Sequence, residues 1–203
     1  MGPVSIIRVA LPRDRPCRLL VAPERSRAVE SCMGESSPLQ NSLLVVKSVH
    51  HGNTAKVATA MAGVLGAVVS SPEETPYTTL AGCGLVGFGS GVSYGQLHPA
   101  LLDWLRGLPD APKPTRPAFI FSTSGLPFLS KLWHWPLRRL LSRKGFSTVG
   151  EFTCRGFDTW GPLWLAGGLN KKHPDQRDLQ RAREFARKLA SSGRLLQQST
   201  GEA

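Results

Sequence analysis

The sequence predicts an α/β domain, a doubly wound five-stranded parallel sheet with helices on both faces. Three observations carry this. From residue 42 onward, short β-branched and aromatic runs alternate with stretches of helical period. Gly, Pro or Ser marks the junctions between them. At 203 residues the chain is long enough to bury one well-packed core.

The elements follow in order. Leu43–Lys47 reads as a buried strand. Over Thr54–Gly66, Val57, Met61, Val64 and Leu65 fall on one helix face. Ala67–Ser70 is a brief second strand, and Gly84–Gly89 a third that ends in glycines. Pro99 suits a first helical position, Leu101, Leu105 and Leu108 share a face, and Gly107 ends that helix. Pro117–Ser122 is the fourth strand. A helix over Leu132–Lys144 closes at Gly145, with Pro136 either starting or kinking it. Phe146–Thr153 is the fifth strand. The last helix begins at Asp175 as its cap and runs through Leu179, Ala182, Ala186 and Leu189 to Gly193. The domain thus spans 42–192, with 193–203 as a flexible tail.

Residues 1–41 read as a disordered basic extension, with scattered arginines, proline breaks and no sustained periodicity. Arg8 interrupts the short apolar stretch, which excludes a secretory signal, and four acidic residues count against a transit peptide. A start codon assigned upstream of Met33 would account for the extension. Its six arginines are offset by those four acids, so most of the net charge of +11 belongs to the domain. Such a surface attracts nucleic acid, anionic membrane or acidic protein, or it simply keeps the chain in solution. Cys17, Cys32, Cys83 and Cys154 form no C-x-x-C pair. That spacing suits free thiols in a reducing, cytoplasmic setting and excludes a zinc-finger site. No apolar run has the roughly 20 residues a spanning helix needs.

In a doubly wound sheet, ligands bind at the carboxyl ends of the strands. The loops of interest are therefore 48–54, 89–98, 122–129 and 154–174. In the first, "SVHHGNT" passes from a strand ending at Ser48, through His50, His51 and Gly52, to a helix starting near Thr54. Backbone N–H groups and a helix N-terminus converge there, which makes an anion site. Ser48, Asn53 and Thr54 add donors, and Gly52 lets a phosphate approach the main chain. Neither a G-K-[ST] nor a G-x-G-x-x-G follows, so this is no nucleotide-hydrolase or dinucleotide loop.

"SVHHGNTAKVA" resembles the phosphate loop of flavodoxins, Ser/Thr-x-Thr-Gly-Asn-Thr. "LVGFGSGVSYGQLHPALLDWLRGLP", "AFIFSTSG" and the block from Gly145 to Ala186 resemble successive blocks of prokaryotic flavodoxin family proteins, covering about residues 42–190. The resemblance implies a sheet in the order 2-1-3-4-5 and a non-covalent FMN. It places Ser48, Gly52, Asn53 and Thr54 on the phosphate, with His50 and His51 inside the loop. His51 stands where the pattern has Thr, which would make phosphate binding more dependent on pH. Ser90, Gly91, Ser93 and Tyr94 would flank the isoalloxazine ring, Tyr94 by stacking. Ser122, Thr123, Ser124 and Gly125 would form the other wall.

The implied function is electron transfer through the flavin, either as a carrier or as a small FMN-dependent NAD(P)H/quinone oxidoreductase. The alternative is a flavodoxin-shaped binding module without flavin. The implied partner is a redox protein or a small-molecule donor or acceptor. Electron-carrying flavodoxins are usually acidic, whereas this chain has a pI near 10.2. Docking to the basic partners of such carriers is therefore not expected.

Other readings compete. Gly91-Val92-Ser93-Tyr94-Gly95 fits a G-x-S-x-G nucleophile elbow, with Asp158 and His173 later in hydrolase order. The next helix, however, waits until about Pro99. His50 and His51 as a metal pair lack neighbouring carboxylates. Cys154 is a redox thiol near the flavin or a buried small apolar residue. Finally, residues 129–145 combine Trp133 and Trp135 with Arg138, Arg139, Arg143 and Lys144. This segment is an ordinary crossover helix, a peripheral contact with anionic membrane, or a nucleic-acid track. No nucleic-acid motif accompanies it, so specific nucleic-acid binding is not expected.

Overall fold

The computed structural model describes residues 41–49, 52–93, 95–111, 113–156 and 173–198, with side chains through Ser192. Residues 1–40 of the expected extension, residues 199–203 of the tail, His50, His51, Tyr94 and Asp158 lie outside the described residues. The sheet contains β1 (Ser42–Lys47), β2 (Val68–Ser70), β3 (Leu85–Ser93), β4 (Gln96–Leu97), β5 (Arg116–Ser124) and β6 (Phe146–Arg155). Five of these are parallel in the order β2-β1-β3-β5-β6, the 2-1-3-4-5 order expected, and β4 is appended antiparallel to β3. The helices are α1 (Asn53–Leu65), α2 (Pro99–Arg106), α3 (Ser130–Arg143) and α4 (Gln176–Gln198).

Strand periodicity explains the two-sided core. Successive residues of β1 point to opposite faces. Leu43 and Val45 join Phe88, Ile120, Leu101, Leu105, Leu137 and Leu141 on the α2/α3 side. Leu44 and Val46 join Val57, Met61, Phe119, Phe121, Ala182 and Ala186 on the α1/α4 side. Both faces are covered, which is why these strands read as continuous apolar runs.

β5 and β6 extend two residues past their expected ends, and three elements depart more instructively. β3 does not stop at Gly89; it continues to Ser93 and turns through Gly95 (φ 73°) into β4. Its glycines are required inside the strand. A Cβ on Gly87 would sit 2.4 Å from Leu44 Cδ2, and one on Gly89 would sit 2.1 Å from Phe121 Cζ. The Phe119 and Phe121 rings, stacked with centroids 5.8 Å apart, fill the space that side chains on β3 would have used.

Pro136 does not start α3, which runs from Ser130 through it to Arg143. Its missing N–H falls on the solvent side, where the freed Leu132 carbonyl can be hydrated. α4 also passes Gly193 to reach Gln198. One interior glycine costs about 1 kcal/mol relative to alanine, which weakens a helix without ending it. Its start is as expected. Asp175 Oδ1 accepts the Asp178 N–H (2.9 Å), and Asp178 Oδ2 accepts the Asp175 N–H (3.2 Å). This is a reciprocal capping box. Among the described residues, no helix is long and apolar enough to cross a membrane.

Candidate functional site

A cleft opens at the carboxyl ends of β1, β3 and β5, lined by Lys47, Val49, Asn53, Thr54, Gly91, Val92, Ser93, His98, Thr123, Ser124, Gly125 and Gly156. Its empty space, including the mouth, is about 460 Å³. This is where parallel strands and the helices that follow them aim their polar termini.

The floor is built by the β1–α1 turn. Gly52 adopts the left-handed conformation (φ 65°, ψ 17°) and caps α1, its carbonyl accepting from the Lys56 N–H at 3.0 Å. It supplies no side-chain cap, and α1 has no acidic residue in its first turn. The helix terminus thus presents its positive end without a built-in anion. Ser48 Oγ turns back and accepts the Ala55 N–H at 3.3 Å. Asn53 and Thr54 are buried, and Thr54 Oγ1 lies 2.8 Å from Thr123 Oγ1. A methyl on Gly91 would lie 3.7 Å from the Thr54 hydroxyl and 4.0 Å from that of Thr123. The bare glycine therefore leaves room for a methyl-sized group beside both hydroxyls.

The walls come from two strand ends. Gly91, Val92 and Ser93 form one, held by the β3–β4 hairpin pairing Val92 with Leu97. Thr123, Ser124 and Gly125 form the other. Ser124 Oγ accepts the Leu126 N–H at 3.0 Å, and Ser124 O accepts the Gly156 N–H at 3.0 Å. A Cβ on Gly156 would be 3.1 Å from Thr123 Cβ and 3.3 Å from Asn53 Nδ2, so glycine permits the close approach that shuts this side.

Of the expected site residues, Asn53, Thr54, Gly91, Ser93, Thr123, Ser124 and Gly125 meet in this cleft, with Ser48 and Gly52 shaping the turn beneath it. Ser90 and Ser122 lie elsewhere. Both are fully buried on the α2/α3 side. Ser90 donates to Gly91 O (2.8 Å) and accepts the His98 N–H (2.9 Å), which ties β3 to the start of α2. His50, His51 and Tyr94 lie outside the described residues.

Five lining residues stand outside the expected site set: Lys47, Val49, Val92, His98 and Gly156. His98 Nδ1 accepts the Ala100 N–H at 3.1 Å and caps α2; a histidine directly before Pro99 could have signalled that role. Lys47 is paired with Glu73 at 2.5 Å, and that bond holds the Glu73 carboxyl below its ordinary range. Among the described residues the lining contains no carboxylate and no Phe, Tyr or Trp. The donor set therefore suits a phosphate and the edge of a polar heterocycle.

Ser122 belongs to a buried chain behind the wall. The neutral His134 imidazole accepts the Ser122 O–H at Nε2 (2.8 Å) and donates from Nδ1 to Glu151 (3.1 Å). Glu151 also accepts from Arg138 Nε at 2.6 Å, and Thr153 Oγ1 lies 3.1 Å from Ser122 Oγ. Burial pushes the His134 pKa below its ordinary value, more than the Glu151 contact raises it. A histidine held neutral in the fold but free to charge when unfolded binds more protons in the unfolded state. Stability should therefore fall as pH drops below about 6.5, the free-histidine value. Melting temperatures measured across pH 5–8 should show this loss, and a His134→Gln variant should show a flatter profile. The lowered carboxyls of Glu73, Asp110 and Asp175 act in a separate window, near or below pH 4. An identical pH slope in the variant would contradict the assignment.

The competing chemistry is placed elsewhere. Ser93 ends a strand that enters a hairpin, not the strand-to-helix turn of a nucleophile elbow. His173 pairs with Asp178 at 2.5 Å beside the α4 cap, in a different pocket. Cys154 is buried, and its thiol is pushed up to about 12 by that burial first and by Asp178 second. It therefore packs as a small apolar residue and holds no reactive thiolate at neutral pH.

No protein-family model matches the chain. The uncharacterized protein MJ0298 of Methanocaldococcus jannaschii is 40% identical over 147 residues, which cover 72% of this chain and 96% of that protein. A flavodoxin from the domain Archaea superposes with a TM-score of 0.54 at 16% identity, over 76% of this chain and 99% of its own. A flavodoxin, WrbA-like protein from Agrobacterium tumefaciens gives 0.54 at 18% identity, over 76% and 98%. The chain belongs to the same protein family as MJ0298, and its fold is flavodoxin-like.

Proposed function

We propose that the chain binds FMN in this cleft and serves in electron transfer. The observation that carries this is the β1–α1 turn. A left-handed Gly52, with no side chain to cap the helix, opens the α1 N-terminus beneath the Thr54 and Thr123 hydroxyls, with no acid among the described lining residues. The phosphate would sit there, on backbone N–H groups and the Thr54 hydroxyl. Gly91 and Ser93 would hold one side of the ring, and Thr123, Ser124 and Gly125 the other. When bound, FMN supplies one- and two-electron chemistry. The chain contributes binding, orientation and exclusion of water. It needs no acid or base of its own.

His50, His51 and Tyr94 complete the proposed set by resemblance. The partner would be a redox protein or a small-molecule donor or acceptor, in the cytoplasm. A second role, as a small NAD(P)H/quinone oxidoreductase, would follow if NAD(P)H reduced the bound flavin and a quinone reoxidised it. Uptake of FMN by the purified chain, with release on denaturation, tests the reading. A chain that neither carries nor takes up FMN would leave a flavodoxin-shaped binding module.

A further inference from the structure

The outward side of α3 is apolar where a crossover helix has no need to be. Its inward side is complete: His134, Leu137 and Leu141 are fully buried against the sheet. Yet Phe128 is 76% exposed, Leu132 68% and Trp135 55%, with Leu126 beside them at 46%. Phe128 lies in the short turn before α3, and within α3 the three-residue spacing sets Leu132 and Trp135 along one flank. The same flank continues into Arg139 and Arg143, which are also exposed. Arg139 sits over the Trp135 ring, 5.7 Å from its centroid.

The charge has one sign. α3 carries Lys131, Arg138, Arg139 and Arg143 and no acidic residue. Arg138 is paired with Glu151, and Arg143 approaches Asp110 at 3.9 Å. Among the described residues, Lys131 and Arg139 have no acidic partner. A groove beside Trp135, against the edge strand β6, is lined by Arg138, Arg139, Arg143, Ser147 and Thr148. Guanidinium forks and hydroxyls around an open groove suit a phosphate headgroup.

We propose that this face docks the protein onto a membrane bearing acidic phospholipid. Phe, Leu and Trp enter the headgroup–acyl boundary, and the lysine and arginines hold the headgroups. Separate protruding anchors beside a helix with four basic and no acidic residues favour a lipid surface over a folded acidic protein, which would offer a shaped counter-surface. The face also adjoins the cleft. Leu126 follows the lining residue Gly125, and Trp133 Nε1 would stand 3.3 Å from a Cβ on Gly95, in the β3–β4 turn. Docking sets one rim of the cleft beside the lipid, whatever the cleft holds.

Co-sedimentation of the full chain with phosphatidylcholine vesicles, with and without phosphatidylglycerol, tests this. Binding should require phosphatidylglycerol and weaken as salt is raised. It should fall about tenfold or more in a Phe128→Ser/Leu132→Ser/Trp135→Ser variant and in an Arg139→Glu/Arg143→Glu variant. Both variants should keep the native far-ultraviolet circular dichroism and a cooperative thermal transition, since the substituted side chains are exposed. Absent binding, or equal binding to both vesicles, would overturn the proposal. So would loss in the charge variant alone, which is the pattern of an electrostatic protein-binding face. A native dimer that the apolar variant dissociates would instead assign the face to a second copy.

Discussion

Replacing Thr54 with valine is expected to weaken FMN binding about 10- to 100-fold while leaving riboflavin binding nearly unchanged. A hydrogen bond to a charged group contributes roughly 1.5–3 kcal/mol, and valine removes the hydroxyl at almost constant volume. Thr54 is buried at the first turn of α1, with its Oγ1 2.8 Å from that of Thr123. The lost Thr54–Thr123 bond costs about 1 kcal/mol of stability, too little to unfold a domain of ordinary stability. Riboflavin lacks the phosphate, so the comparison separates a phosphate effect from a general loosening of the cleft. Fluorescence titration of both ligands against both proteins reads it directly. Equal losses for the two ligands would move the phosphate away from this turn.

Gly89→Val should be the most damaging substitution at a glycine of the sheet. A Cβ there would fall 2.1 Å from Phe121 Cζ and 2.3 Å from Cε2. Phe121 is fully buried, so its ring has little room to move. Overpacking of this kind costs typically 1–3 kcal/mol and occasionally more, and the valine branches extend the clash. Phe121→Ala alone opens a cavity and should cost about 3–5 kcal/mol. Gly89→Ala combined with Phe121→Ala should cost less than the sum, because each change relieves the other's defect. Urea unfolding of the four proteins closes the cycle. Strict additivity would mean that the ring and the bare glycine are not complementary.

The same glycines show what could be read from the residues alone. Half of "GLVGFG" is glycine, which lowers local strand propensity, and the expected strand closed at Gly89. The actual reason for glycine lies on the next strand, in Phe119 and Phe121. No local window carries that information. The β1–α1 turn was legible because its determinants are contiguous: a buried strand, a glycine free to adopt positive φ, and a periodic helix. Ser90 and Ser122 were grouped with the site because their motifs adjoin it. Period two already set them on the core face, two residues from Phe88 and Ile120. His98 and Gly156 join the cleft only through the hairpin after β3 and the close passage of β6 past Ser124. Those are tertiary facts. α3 was legible as both a crossover helix and a basic amphipathic element, and the structure contains both, one on each side.

The central claim is that the cleft at the ends of β1, β3 and β5 holds FMN, and its most direct test is an absorption titration of the purified chain with FMN. The account predicts a saturable perturbation of the flavin bands at one FMN per chain, reversed when the protein is denatured. A flavin spectrum that stays that of free FMN at every protein concentration would contradict it.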